Sequence, residues 1–137
     1  MDTEGQFAPV SAAEARERYD AFGPTAQVVV KEVAKAMGLD PETYEERVTS
    51  EVVETARDVL FAESLAVQVG SMAEFEEWRE DTDCGVTLVG AENVDNVVWH
   101  AAPFAEQAVA ATFQDERRAA VGTLRRQAFG RIYREVI

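Results

Sequence analysis

His100 is the only histidine in the chain, and a lone imidazole is the first candidate for acid–base or metal chemistry. Local alternation sets Asn96, Val98 and His100 on one side of a strand, opposite Val97 and Trp99. Either chemistry needs partners, and no second histidine and no paired cysteine supplies the usual ligands. The surroundings predict a partly buried structural histidine held by one hydrogen bond. Catalysis by His100 with a neighbouring carboxylate is the alternative. Cys84 follows Asp81, Thr82 and Asp83, and a reactive thiolate wants positive charge that this loop lacks. The acidic run Glu74, Glu76, Glu77, Glu80, Asp81 and Asp83 lacks the spaced ligands and central glycine of a calcium loop, and reads as a solvated helix face. Ser71 lacks the second glycine of a nucleophile elbow and is explained as a helix cap. No glycine-rich phosphate loop occurs. These residues predict no catalytic group, no metal and no cofactor, and an enzyme is the less favoured reading.

Six of the eleven arginines fall late in the chain, at Arg117, Arg118, Arg125, Arg126, Arg131 and Arg134. Residues 117–137 carry a formal charge of +5, against −18 for the other 116. Such an asymmetry calls for a physical reason. On a helical wheel, Val121, Leu124, Ala128 and Ile132 define the inward face. Arg118 and Arg125 lie about 40–60° from Val121 on that side. An unpaired buried charge costs several kcal/mol, so these two are expected at least half buried and paired with carboxylates. Arg126, Arg131 and Arg134, with Tyr133 as a stacking surface, form the candidate partner-binding face. Protein or a second copy of the chain is the favoured partner. Nucleic acid, or a ribosomal site, is the alternative, disfavoured because counterion release drives little binding at molar salt.

The elements that must position these residues follow from periodicity. Ser11 to Glu14 forms a capping box, and Ala15, Tyr19 and Phe22 follow on one face until Gly23-Pro24 ends the helix. A second helix presents Val29, Val30, Val33 and Met37 and closes at Gly38. Asp40-Pro41 opens a third, whose stripe continues through Val48, Val52, Ala56, Val59 and Leu60, with a break near Thr49-Ser50. From Leu65 the period falls to two. Ser71 to Glu74 caps a helix carrying Met72, Phe75 and Trp78 inward. Val86 to Val89 and Val94 to Ala101 read as a hairpin joined through Gly90 to Asn93. Ala108 to Phe113 reads as a further strand, and a last helix runs from a cap at Asp115 to about Arg134. The class is α+β: N-terminal helices, then a mainly antiparallel β-α-β-β-β-α unit. One domain over 1–137 is expected, with a helical half (1–63) and a sheet with the C-terminal helix (64–137).

Composition describes the solvent. The net charge of −13 and only two lysines, Lys31 and Lys35, give a surface that repels itself in dilute buffer. Molar salt removes that penalty. The apolar set is small, with 22 Ala and 19 Val against five Leu and two Ile, so each buried residue contributes less. Both traits read as a halophilic cytoplasmic protein. The N-terminus lacks the pattern of a signal peptide, and no apolar run approaches a membrane span.

The runs Leu124 to Arg134 and Trp99 to Phe104, with Phe7-Ala8-Pro9 and Ala56 to Phe61, resemble a haloarchaeal family of small proteins of unknown function. That resemblance implies a haloarchaeal cytosolic protein and carries over no catalytic residue. The expected role is a non-enzymatic interaction or regulatory protein, acting as a possible homodimer at the junction of the helical half and the sheet.

Overall fold

The computed structural model describes residues 1–137. Three helices open the chain after a short strand, β1 (Asp2–Glu4): α1 (Ala12–Ala36), α2 (Pro41–Arg47) and α3 (Ser50–Ser64). Each starts on a side chain that accepts a first-turn amide. Ser11 takes Glu14 N–H, Asp40 takes Thr43 N–H at 2.8 Å, and Thr49 takes Val52 N–H. Gly38, at φ +70°, closes the turn after α1 in the left-handed region.

The break expected at Gly23-Pro24 does not occur. α1 runs through it for 25 residues, with Pro24 inside. A proline there removes the amide that would bond the Asp20 carbonyl. The Arg57 guanidinium of α3 replaces it, donating from Nη2 to Asp20 O at 3.3 Å. Gly23 makes this possible, because Arg57 Nη2 occupies the space a Cβ would need. The same guanidinium lies 4.7 Å from the Tyr19 ring centroid, and Tyr19 Oη donates to Asp58 at 2.7 Å. One side chain thus stitches α3 to the proline turn of α1.

The rest of the chain is β2 (Val67–Ser71), α4 (Met72–Asp81), β3 (Gly85–Val89), β4 (Asn96–Ala102), β5 (Gln107–Phe113) and α5 (Arg117–Ala128). The class is α+β. The sheet order is β1-β2-β4-β5-β3, antiparallel except for the parallel β3–β5 pair. Residues 1–63 are therefore not helical throughout, since β1 extends the sheet beside β2.

The expected hairpin of Val86–Val89 with Val94–Ala101 is also absent. β4 is paired on both edges, to β2 (Gln68↔Trp99) and to β5 (His100↔Val109), so β3 takes the outer edge of β5. The tight connection is β4 to β5, through a 3-10 turn at Pro103–Ala105 and Glu106 at φ +53°. The last helix starts at Arg117, after Glu116 and not on a cap at Asp115, and ends in a wide π turn over Phe129–Tyr133.

Both faces of the central strand are covered. Val98 and Ala102 join the larger core beneath α1, α3 and α5, and Val97 and Trp99 join a smaller one beneath α4. Phe61 is the centre of the larger core, with Phe7, Tyr19, Phe129 and Tyr133 rings 5.2–6.0 Å away in edge contacts.

Of the valines expected inward on the helical arm, Val30 is buried. Val29 and Val33 of α1, Met37 just after it, and Val52 and Val59 of α3 are exposed. A run such as Val28-Val29-Val30 sweeps about 200° of helix, more than one partner helix can cover.

The Arg57 bond predicts a coupling. Arg57→Ala should cost about 1–2 kcal/mol in a denaturant melt, from the lost carbonyl donor and the Tyr19 contact. With Pro24→Ala in place, residue 24 recovers an amide for Asp20 O, so Arg57→Ala should then cost less. Equal costs in both backgrounds would show that Arg57 does not compensate for the proline.

Candidate functional site

The residues with chemical capacity meet at the junction between α3 and β2. There the chain leaves the helix, and Ser64, Leu65 and Ala66 present three consecutive carbonyls that neither element pairs. Each is taken by a different part of the molecule. Phe7 N–H donates to Ser64 O at 3.2 Å, Arg125 Nε–H to Leu65 O at 2.9 Å, and His100 Nδ1–H to Ala66 O at 2.6 Å. Ala66 N–H returns to Phe7 O at 2.8 Å, completing a parallel bridge between Phe7 and Leu65. Gly5, at φ +88°, lies against this knot, where a Cβ would meet Leu65 O at 2.6 Å and Arg125 Nη2 at 2.8 Å.

His100 is 2% exposed and held from both sides, by two hydrogen bonds where one was expected. Its second nitrogen, Nε2, lies 2.6 Å from Tyr133 Oη. A carbonyl can only accept, so the Ala66 contact places the proton on Nδ1. Nε2 is then the acceptor and the tyrosine hydroxyl the donor. Burial pushes the His100 pKa below its ordinary value; the Ala66 bond opposes this, and the nearby Arg125 charge adds to it. Burial likewise raises the Tyr133 pKa. Both ring nitrogens are therefore engaged, and no carboxylate contacts the imidazole. No group of three His, Cys, Asp or Glu side chains converges to hold a metal ion.

Tyr133 is the clearest misplacement in the sequence reading. A regular wheel puts it on the outer face with the arginines, but it is fully buried. The π turn, closed by Arg134 N–H on Phe129 O at 2.9 Å, advances each residue by less than a regular turn does. Tyr133 therefore lags into the core beside Ile132 and is no stacking surface.

The arginines divide by position along α5. Arg125 keeps its side chain 13% exposed, with Nη1 3.7 Å from Glu63 of α3. Arg118 differs from the expectation: it is exposed and pairs with no carboxylate within 4 Å. It sits in the first turn, where no element packs over the helix and a cavity of about 510 Å³ opens between Glu4, Glu63, Arg117 and Arg125. Arg117 pairs instead, with Glu4 at 2.7 Å and Asp2 at 3.0 Å on β1. Arg126 reaches Glu63 only at 4.0 Å, Arg131 donates to Gln127, and Arg134 lies 5.2 Å from the Phe129 ring centroid. These three face outward and are exposed.

Arg125→Ala should cost about 2 kcal/mol, chiefly because Leu65 O loses its donor. Arg118→Ala, Arg126→Ala and Arg134→Ala should each cost no more than about 1 kcal/mol. Denaturant melts at one high salt concentration separate these outcomes, and equal costs at all four would contradict the carbonyl role.

The histidine predicts a pH signature. Below 6.5 the unfolded chain takes up a proton on His100, whereas the folded chain, with its pKa lowered, does not. Stability should therefore fall as pH drops through 6.5, before the carboxylates titrate. His100→Gln should flatten that part of the profile. Tyr133→Phe should cost about 1–2 kcal/mol at neutral pH by leaving Nε2 without its donor. A wild-type profile flat from pH 7 to 5 would contradict the buried neutral imidazole.

No helix is long and apolar enough to cross a membrane. No curated protein and no solved structure matches the chain. A family described as of unknown function (DUF5809) matches residues 6–134, a span that includes Phe7, the Ser64–Ala66 junction, His100, Arg125 and Tyr133. The chain belongs to that family.

Proposed function

We propose that this protein is a non-enzymatic interaction or regulatory protein of a haloarchaeal cytosol, and that its partner is a second copy of itself. The observation that carries this reading is an apolar groove at the outer end of the helical arm. Val29 and Val33 of α1, with Met37 just after it, line a cleft of about 360 Å³ together with Leu39, Val48 and Val52. Five of the nine exposed large apolar side chains lie on α1 and α3, Val33 at 53% among them, and Met37, at 62%, directly follows α1. Large apolar side chains left exposed together on one arm are a feature of interaction surfaces.

The charges beside the groove favour a copy over a partner of one sign. Both lysines, Lys31 and Lys35, lie on this arm with Arg47, among Glu32, Glu45, Glu46 and Glu51. A two-fold axis can set the cations of one copy against the carboxylates of the other. The surface favoured here is the outer end of the arm, some distance from the junction of the helices and the sheet. At net charge −13, association needs salt to screen repulsion between copies. Against the nucleic-acid alternative stand the burial of Tyr133 and the engagement of Arg117 and Arg125 in ion pairs.

Sedimentation equilibrium in 2–3 M KCl should give a dimer, and dilute buffer should shift the chain toward monomer. Val33→Glu, at an exposed position, should yield a monomer with an unchanged circular dichroism spectrum. The thermal midpoint should keep rising into multimolar KCl, beyond the range where Debye screening saturates. A monomer at every salt concentration would remove the self-association reading, and a salt-independent midpoint would remove the halophilic one.

A further inference from the structure

The sheet ends in two edges of opposite character. β1 closes one with Asp2, Thr3 and Glu4, whose carboxylates guard its free backbone. β3 closes the other with Gly85-Val86-Thr87-Leu88-Val89, which carries no charge and no proline. Gly85 N–H donates to Glu106 O at 2.9 Å, so Gly85, and with it Thr87 and Val89, turns its backbone toward β5. Val86 and Leu88 therefore turn their N–H and C=O groups outward, and no loop bonds to them. Their side chains are half-buried against the small core of Phe75 and Trp99, whereas Thr87 and Val89 are exposed on the other face. Soluble proteins guard such edges, so four aligned free groups beside an apolar ledge call for a strand.

Charge decides what kind of strand. No lysine or arginine occurs between Arg79 and Arg117. Asp81 and Asp83 lead into β3, Glu106 lies in the turn beside its start, and Glu92 and Asp95 follow its end. All five are exposed, and none is in an ion pair. A second copy fits this edge poorly. A two-fold axis through Thr87 would bring Asp83 of one copy beside Glu92 of the other, with no cation between them. The occupant that fits has apolar side chains opposite Val86 and Leu88 and basic ones toward both ends. The backbone ladder and the apolar contacts hold it, and the flanking charges select it.

We propose that the outer edge of β3 binds an extended basic segment of another protein as an added strand of the sheet, at a surface separate from the groove on the helical arm.

The backbone amides of β3 read this directly. In the free protein, Val86 and Leu88 N–H should exchange with deuterium far faster than Thr87 N–H, which bonds to β5. The probe is acetyl-Lys-Lys-Val-Thr-Val-Lys-Lys-amide. It is compared with the same peptide carrying glutamates for lysines, and with the same peptide N-methylated at its three central residues. At one high KCl concentration, the lysine peptide should shift the Val86 and Leu88 resonances saturably and slow their exchange about tenfold. The glutamate peptide should bind about threefold more weakly, the scale of exposed ion pairs. The N-methylated peptide should leave both resonances in place. Val86→Pro removes an outward donor and spares the bonds to β5, so it should abolish binding with an unchanged circular dichroism spectrum. Asp83→Lys combined with Glu92→Lys, both at exposed loop positions, should reverse the preference between the lysine and glutamate peptides. The proposal is overturned if Val86 and Leu88 amides are as protected as Thr87 in the free protein, or if the N-methylated peptide acts like its parent. It is equally overturned if the charge-reversed variant keeps the wild-type preference, or if the lysine peptide leaves both resonances unmoved into the millimolar range.

Discussion

The molecule is organised around three backbone carbonyls. Where α3 gives way to β2, Leu65 is buried and its neighbours Ser64 and Ala66 are half-buried, and their three carbonyls need donors from elsewhere. Leaving a buried carbonyl unpaired costs on the order of 1–3 kcal/mol, a sizeable part of a domain's net stability. The chain meets this with an amide from the N-terminal segment, a guanidinium from α5 and an imidazole from β4. Each donor comes from a different stretch of sequence, so satisfying the junction also fixes the placement of those stretches. Phe61, one turn earlier in α3, then brings Phe7, Tyr19, Phe129 and Tyr133 around the same point.

This arrangement accounts for the residues that look chemically capable. His100 and Arg125 resemble a base and an anion anchor, and both act as donors to main-chain oxygens. A core built from alanine and valine gains little per side chain, which gives directional polar contacts a larger part in selecting one packing. Small residues also let elements approach closely. Ala108 and Ala110 on β5 are buried, and Gly23 admits the Arg57 guanidinium to the proline turn of α1. Large apolar groups left uncovered are then few, and their concentration on the outer ends of α1 and α3 stands out.

Local signals in the sequence were read correctly where a single segment determined the outcome. The caps expected at Ser11, Asp40 and Ser71 form, and at Ser71 the Glu74 carboxylate also accepts from the Ser71 amide at 2.9 Å, whereas the one expected at Asp115 does not. The strand at 107–113 follows its alternation despite its alanines. Errors arose where a distant residue decided. Pro24 looked like a terminus because nothing near it announces Arg57, 33 positions away. Val86 to Val89 looked like half of a hairpin because the turn from Gly90 to Asn93 is local, whereas the competition of β2 and β5 for β4 is not. Tyr133 looked exposed because a regular wheel cannot register a π turn. The buried indole N–H of Trp99, which has no acceptor, left no trace in the sequence, since an absent acceptor is a property of packing alone.

The central claim is that His100 is a neutral pin between Ala66 and Tyr133. Imidazole 15N chemical shifts, followed from pH 8 to 4.5 in high salt, test it most directly. The account predicts a protonated Nδ1 and an unprotonated, hydrogen-bonded Nε2, unchanged until the protein unfolds. An imidazole that titrates near 6.5 while the rest of the spectrum stays native would contradict it, as would a proton residing on Nε2.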